Sequence, residues 1–553
     1  MTAIATATID AGSLHRLLGS GTEYALVDVR EAGVTAAQGS ILLAVSIPLS
    51  VLELKVGTRI PRPSTPVVVY DGGAGDDLAE RGAARLTALG YTDVRVLDGG
   101  LRAWAEAGYK VQSGGDHVIG QAFGEWIEHV YETPHITVED FRARVAAGED
   151  VVLLDSRPIG EFENHSLPGG TSIPGAELVY RAAEVVKSPD SLVVVNCAGR
   201  TRSILGAQVL INAGLPNKVV SLEGGTQSWV LEGHELVHGK SVAAPLPGAQ
   251  ASEAARAAAA RFAERFAITR IDKATLAQFR SEAQSRSLYV LDVRTPQEFE
   301  AGHLAGSRSA PSWDVAPWTF RYVSTHNARI VLVDNDTVRA TVAASWIAQI
   351  GWGEVFVLEN ALDGELETGP APDAFEVPQS GYSVVSADTI DVVSADTIDV
   401  VSADTIDVVS AEDRVVVDVA PSPAYRAGHI PGAVFAIRSR LAGSAADIPG
   451  SGPIVVTSED GVLARFAAAE LSGVVDRPVE VLDGGTRAWQ AAGRAIESGT
   501  ENWLHDADDV VRSGWRETDL EKRKAGFRWY LGWELGLVAE LEQDDTVPFK
   551  RFD

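Results

Sequence analysis

Apolar positions along the chain cluster into short runs rich in β-branched residues, separated by stretches with helical spacing, and this layout occurs four times. Each occurrence opens on a run ending in aspartate: ALVDVR (25–30), VLLDSR (152–157), VLDVR (290–294) and VVVDVA (415–420). After Asp155, Asp292 and Asp418 come the related loops EFENHSLPGG, EFEAGHLAGS and AYRAGHIPGA. A second apolar run follows: VVVY (67–70), LVVVN (192–196), IVLVD (330–334) and IVVT (454–457). A helical stretch comes next, then a third run leading into VLDGGLRAW, SLEGGTQSW, VLENALDGE or VLDGGTRAW. Short continuous apolar runs alternating with helices predict βαβ units and strands buried on both faces of a parallel sheet. The expected fold is therefore α/β, with four tandem domains, each a mainly parallel sheet flanked by helices, and a C-terminal helical tail.

The repeats divide the chain into 1–115, 116–240 (a linker helix and the second repeat), 250–370 (a bridging helix and the third), 384–498, and a tail, 499–553. A chain of 553 residues exceeds what one hydrophobic core serves. Residues 116–135 predict a short amphipathic helix leading to Thr137 as the next helix cap, and SEAARAAAARFAERFA (252–267) an Ala-rich bridging helix. Residues 384–407 contain VVSADTID three times in succession, read as one cap-and-helix start copied by replication slippage. The tail carries Trp503, Trp515, Phe527, Trp529, Tyr530 and Trp533, a stripe expected to pack and clamp the domains together.

Composition narrows the function classes. The net charge of −29 is spread along the whole chain, a field that repels nucleic acid and anionic membrane, so neither is expected as a partner. An anionic substrate would need a local basic pocket. The N-terminus lacks the basic and continuous apolar regions of a signal peptide, and no run approaches a membrane span, so a cytoplasmic protein is expected. The 11 histidines show no ligand spacing, and neither metal nor cofactor is expected. With one cysteine, the chain can form no internal disulfide.

That cysteine marks the candidate chemistry. Ligands of α/β folds bind beyond the C-terminal ends of strands, where the four loops read DGGAGD (71–76), CAGRTR (197–202), DNDTVR (334–339) and SEDGVL (458–463). They begin 43, 42, 42 and 40 residues after the strand-end aspartates, so Asp71, Cys197, Asp334 and Ser458 correspond. Cys197 ends an apolar strand and precedes a helix, where loop amides and the helix dipole favour a thiolate. Gly199 permits a tight turn, and Arg200 and Arg202 add cations that lower the thiol pKa and attract an anionic donor. Asp71 and Asp334 cannot hold sulfur, and Ser458 lacks a base in its acidic loop, so the other three repeats are expected to be silent, as scaffold or as docking modules.

The sequence resembles the rhodanese homology family, through Asp155 and Arg157, the segment with Glu161, Phe162, His165, Pro174, Gly175 and Ala176, the Cys197 loop, and LEGGTQSW (222–229). The resemblance runs to about residue 498, and the plan is similar to bacterial sulfurtransferases with four tandem rhodanese domains. It implies that Cys197 attacks the outer sulfur of a donor such as thiosulfate, forms a persulfide, and passes sulfur to cyanide, a thiol or a protein acceptor. The amides and side chains of Ala198, Gly199, Arg200, Thr201, Arg202 and Ser203 would hold the persulfide and the leaving anion. Asp155 and Arg157 are expected to brace the loop, and Glu161 and His165 to be structural. Two other readings stay open: a non-catalytic scaffold or sulfur carrier, and a cysteine phosphatase or arsenate-type enzyme. The phosphatase relatives carry Cys-x5-Arg, whereas Cys197 to Arg202 is the shorter Cys-x4-Arg, which favours sulfur.

Overall fold

A computed structural model describes residues 6–73, 75–114, 118–390 and 414–553. Each repeat is built on a five-stranded sheet; with strands counted in chain order within a repeat, all four sheets have the order 1-5-4-2-3. Every pairing in them is parallel. In the second repeat the central strand Leu192–Asn196 lies between Val151–Asp155 and Val219–Leu222, and all its residues are buried. Helices cover both faces, which is why the run LVVVN needs no polar alternation. The two outermost strands, His135–Ile136 and Thr171–Ser172, are too short to show a period in the sequence, so each sheet has two strands more than the three apolar runs predict.

Local signals set the helix starts. Thr137 accepts from the amide of Asp140 at 3.1 Å, Asp272 from Thr275 at 2.8 Å, and Asp10 from Ser13 at 2.9 Å. The bridging helix spans Ala249–Arg265 and packs on the helices Glu177–Val185 and Val338–Ile350. The linker helix Val118–Tyr131 is buried through its whole first half, Val118 to Glu125, rather than amphipathic on a surface. Its glycines explain how it is enclosed. A side chain at Gly120 would strike Trp318, and one at Gly124 would strike Thr201, so the helix backbone seats directly on both neighbours. The later copies of the VVSADTID tract fall in residues 391–413, outside the described residues.

One continuous core joins the first three repeats and takes in Leu537 and Leu541 of the tail. The fourth repeat keeps its own apolar clusters and meets the first through polar contacts. Arg438 forks onto Glu53 at 2.8 and 2.9 Å and reaches Glu470, while Ser439 donates to Glu31 at 2.7 Å. Between the second and third repeats, the fully buried Arg339 ties Glu177 to Glu298.

The tail touches every repeat. Asp508 accepts from the amide of Gly33, Asp509 from that of Ser422, Trp515 stacks on His165 at 3.9 Å, and the Lys550 amide donates to Gln349. Its long helix, Leu520–Leu541, lies along the linker helix and the helix Gly225–Leu231. Among the described residues, no helix is long and apolar enough to cross a membrane.

Candidate active site

Cys197 follows the last residue of the central strand, at the C-terminal edge of the sheet, and the helix Thr201–Asn212 begins four residues later. The turn between them is fixed from beneath by the LEGG segment. Gly224 and Gly225 both take left-handed backbone, and the amides of Thr226 and Gln227 donate to the carbonyls of Cys197 and Ala198 at 2.9 and 3.1 Å. A Cβ on Gly225 would collide with the Cys197 carbonyl, so the motif is a contact surface for the loop. The first and fourth repeats repeat this contact, with Leu101 donating to Asp71 and Thr486 to Ser458 at 2.9 Å.

Asp155 ends the strand next to the central one, and Arg157 follows it by two residues. Arg157 forks onto both oxygens of Asp155 at 2.9 and 2.7 Å and donates to the His165 carbonyl at 2.8 Å, while Asn196 donates to Asp155 at 2.9 Å. The same fork joins Arg30 to Asp28 and Arg294 to Asp292 in repeats without the cysteine, so it is part of the scaffold. The fourth repeat has Ala420 in place of the arginine. Burial then pushes the Asp418 carboxyl up to about 7.

The loop amides form an anion cradle, visible in the repeats that lack sulfur. Asp334 accepts from the amides of Thr337 and Ala340 at 2.6 and 3.0 Å, Asp71 from Gly73 and Ala79 at 2.9 Å each, and Ser458 from Ala464 at 3.3 Å. In those repeats the side chain at the cysteine position is bound by its own loop. Cys197 sits in the equivalent place, its Sγ 3.5 Å from the Ser203 hydroxyl, which itself donates to the Arg200 carbonyl at 2.8 Å.

The thiol was expected to be ionised at neutral pH; it is only 2% exposed, and burial pushes its pKa up, against the opposing pull of Arg202 and the Ser203 hydrogen bonds. Arg200 was expected to hold the substrate through its amide and side chain; its guanidinium is buried in an ion pair with Glu125 at 2.8 and 2.9 Å and with Glu128, both on the linker helix. Arg202 is the arginine whose charge acts on the sulfur.

Arg202 is itself oriented by Glu161, through two bonds of 2.8 Å, and lies over the Trp318 ring at 5.4 Å. Burial opposes ionisation of Glu161, but Arg202 outweighs it and holds the carboxyl below its ordinary range. Glu161 is thus a positioning residue, more than the structural role expected from the sequence. His165 stacks on Trp515 and is pushed down to about 4 by burial and by Arg157, which keeps it neutral. Arg202→Gln is expected to raise the thiol pKa further and to slow alkylation of Cys197 by iodoacetamide near neutral pH by about tenfold. Second-order alkylation rates across a pH series would check this; an unchanged profile would remove Arg202 from the site. Glu161 is 44% exposed on its side chain, so losing its partner leaves the fold intact.

The side of the loop opposite the sheet is closed by residues that the sequence alone did not suggest. Tyr530 and Glu534 of the tail helix lie against Gly199: a Cβ there would stand 3.0 Å from Tyr530 Cε1 and 3.1 Å from Glu534 Oε2. Thr201 and Tyr530 both donate to Glu534 Oε1 at 3.1 Å, and Gln121 donates to the Tyr530 hydroxyl at 3.2 Å.

Comparison with known proteins agrees with this geometry. The family described as "Rhodanese-like domain" matches residues 10–107, 137–232, 274–364 and 403–492. A crystal structure of thiosulfate sulfurtransferase from Pseudomonas aeruginosa superposes with a TM-score of 0.90 at 39% identity, covering 99% of this chain and 100% of that one. A protein named Sulfurtransferase from Allochromatium vinosum is 30% identical over 102 residues, 18% of this chain and 92% of that protein. SseB of Mycobacterium tuberculosis, provisionally named a thiosulfate sulfurtransferase, is 33% identical over 134 residues, 21% of this chain and 43% of that protein, so the match spans less than half of that relative.

Proposed function

Since the chain belongs to the rhodanese-like family, with four such domains, we propose that it is a sulfurtransferase whose second repeat alone carries sulfur, as a persulfide on Cys197. One observation carries the reading. The cradle that binds a carboxylate in the first and third repeats holds the chain's single nucleophilic sulfur in the second, beside Arg202. A loop able to bind a carboxylate can bind the charge of a persulfide and of an anionic donor.

The donor in this reading is thiosulfate or a similar anion bearing an outer sulfur. Cys197 loses its proton to solvent and the thiolate attacks that sulfur; the new bond joins the two sulfur atoms, and the bond to the central sulfur breaks with its electron pair leaving on sulfite. A nucleophilic acceptor, such as cyanide or a thiol, then attacks the outer sulfur of the persulfide and returns the thiolate. Arg202 stabilises the charge on sulfur in each anionic state, and the amides of residues 198–203 supply hydrogen bonds. Arg200 contributes by holding the loop to the linker helix. With no second cysteine in the chain, the persulfide is discharged to an outside acceptor. The short Cys-x4-Arg loop favours a sulfur donor over a phosphate ester.

The test is direct. Protein treated with thiosulfate, freed of excess donor and digested, is expected to give one added sulfur on the peptide containing Cys197 by mass spectrometry, removed by cyanide with formation of thiocyanate. An unmodified peptide after thiosulfate would reject this donor class, and turnover of an aryl phosphate would favour the phosphatase reading.

A further inference from the structure

We infer that Glu534 of the C-terminal helix is a specificity-determining residue of the Cys197 site, giving a hydrogen bond to an anionic sulfur donor when protonated and repelling that donor when ionised. The inference rests on the Cys197 reading and adds to it a residue supplied from outside the rhodanese-like domains.

Three observations place Glu534 there. It is fully buried, and both hydrogen-bond donors that reach it, Thr201 and Tyr530, bind the same oxygen, Oε1. The other oxygen, Oε2, is buried without a partner and lies against Gly199, within the loop that begins at Cys197. Ser203 contacts the sulfur and the Gly225 turn supports the Cys197 carbonyl, while Glu534 is near enough for its charge to act on the thiol. An unpartnered buried carboxyl oxygen is held at a cost unless something else completes it. A protonated Oε2 can complete itself on a sulfonate oxygen of the donor.

The charges around it set its state. Burial, with the nearby charge of Glu125, pushes the Glu534 carboxyl up to about 8, against the pull of Tyr530, Thr201 and Arg200. Glu125 and Glu128 face it from the linker helix, Arg200 and the Cys197 thiol from the loop, and Tyr530 from its own helix; Arg202 stands beyond the sulfur. Arg200 is already neutralised by its two glutamates, so ionising Glu534 adds an uncompensated negative charge beside the sulfur. The group is neutral below its raised pKa and charged above it. Anionic donors are thus favoured on the acid side and disfavoured on the alkaline side.

Two alkylating probes read this on the full-length protein without requiring turnover. Iodoacetate is anionic and iodoacetamide neutral, and both lose iodide to the same Cys197 thiolate, so the ratio of their rate constants cancels the thiol's own ionisation. In the wild type the iodoacetate-to-iodoacetamide ratio is expected to fall by about tenfold between about pH 6 and about pH 9.5. Its midpoint should lie near the Glu534 value of about 8. Glu534→Gln should leave the ratio flat. Tyr530→Phe removes a hydrogen bond that favours the carboxylate and should move the midpoint to higher pH. A flat ratio in the wild type, a fall that survives Glu534→Gln, or an unmoved midpoint in Tyr530→Phe would overturn the inference. A thiosulfate persulfide on Cys197 with a flat ratio would sink the role of Glu534 alone. A falling ratio with no persulfide would sink the sulfur-transfer reading instead.

Discussion

Cys197→Ala is expected to lower cyanide-dependent thiocyanate formation from thiosulfate by at least about a thousandfold, to the uncatalysed rate. The size of the loss follows from what the other repeats contain. Asp71 and Asp334 turn their carboxylates into their own loop amides, where they fill the cradle and present negative charge to any incoming anion. Burial pushes Asp334 up to about 6, so it is mostly ionised at neutral pH. Ser458 accepts from the Ala464 amide, and its neighbours Glu459 and Asp460 bring negative charge in place of arginine. None of these groups can accept a sulfur atom, and the chain has no second thiol. The removed side chain is small, and its backbone contacts to Thr226 persist in alanine, so thermal unfolding should be nearly unchanged. A steady-state assay beside a thermal melt checks both. Residual turnover of even a few per cent in a folded Cys197→Ala protein would mean that sulfur moves elsewhere, and the single-site reading would fail.

Much of this architecture can be read from the chain because the repeats mark it four times. The strand-end aspartates and the loops about 42 residues beyond them align without gaps large enough to confuse the register, and continuous apolar runs are what a doubly covered parallel sheet requires. The pairing of Asp155 with Arg157 was legible for the same reason, since Asp28 with Arg30 and Asp292 with Arg294 repeat it. What the repeats do not share was harder to see. Arg200 was read as a substrate ligand because its partners, Glu125 and Glu128, lie in a segment that looks like a connector. The burial of the thiol was not legible, because loop amides and arginines are visible in sequence, whereas burial is not. Glu534 sits 333 residues from Thr201, in a helix outside any repeat. A signal did exist. Phe527, Tyr530, Glu534, Leu537 and Leu541 follow helical spacing, so a glutamate stands in the stripe that packs inward. An acidic residue in such a stripe is either paired, neutral or functional.

Arg200→Ala is expected to destabilise the protein by about 3–5 kcal/mol while leaving persulfide formation largely intact, the reverse of what a substrate ligand would show. The guanidinium is 6% exposed and is the cation shared by Glu125, 4% exposed, and Glu128. Removing it leaves two carboxylates facing each other and Glu534 with no positive partner in the pair's interior. They can escape only by taking up protons. Burial already pushes Glu125 above its ordinary value despite Arg200, and without the arginine its pKa must rise further. A carboxyl whose folded pKa exceeds its unfolded one stabilises the fold fully below the unfolded value and loses that contribution as pH rises through the folded one. The deficit of the mutant should therefore be small near pH 4, where these carboxyls are protonated in both states, and grow toward pH 8. Thermal unfolding of wild type and Arg200→Ala at both ends of that range checks it, with a lowering of about 3–5 °C expected on the alkaline side. Equal stability at all pH values, together with a tenfold or larger rise in KM for thiosulfate, would return Arg200 to the substrate.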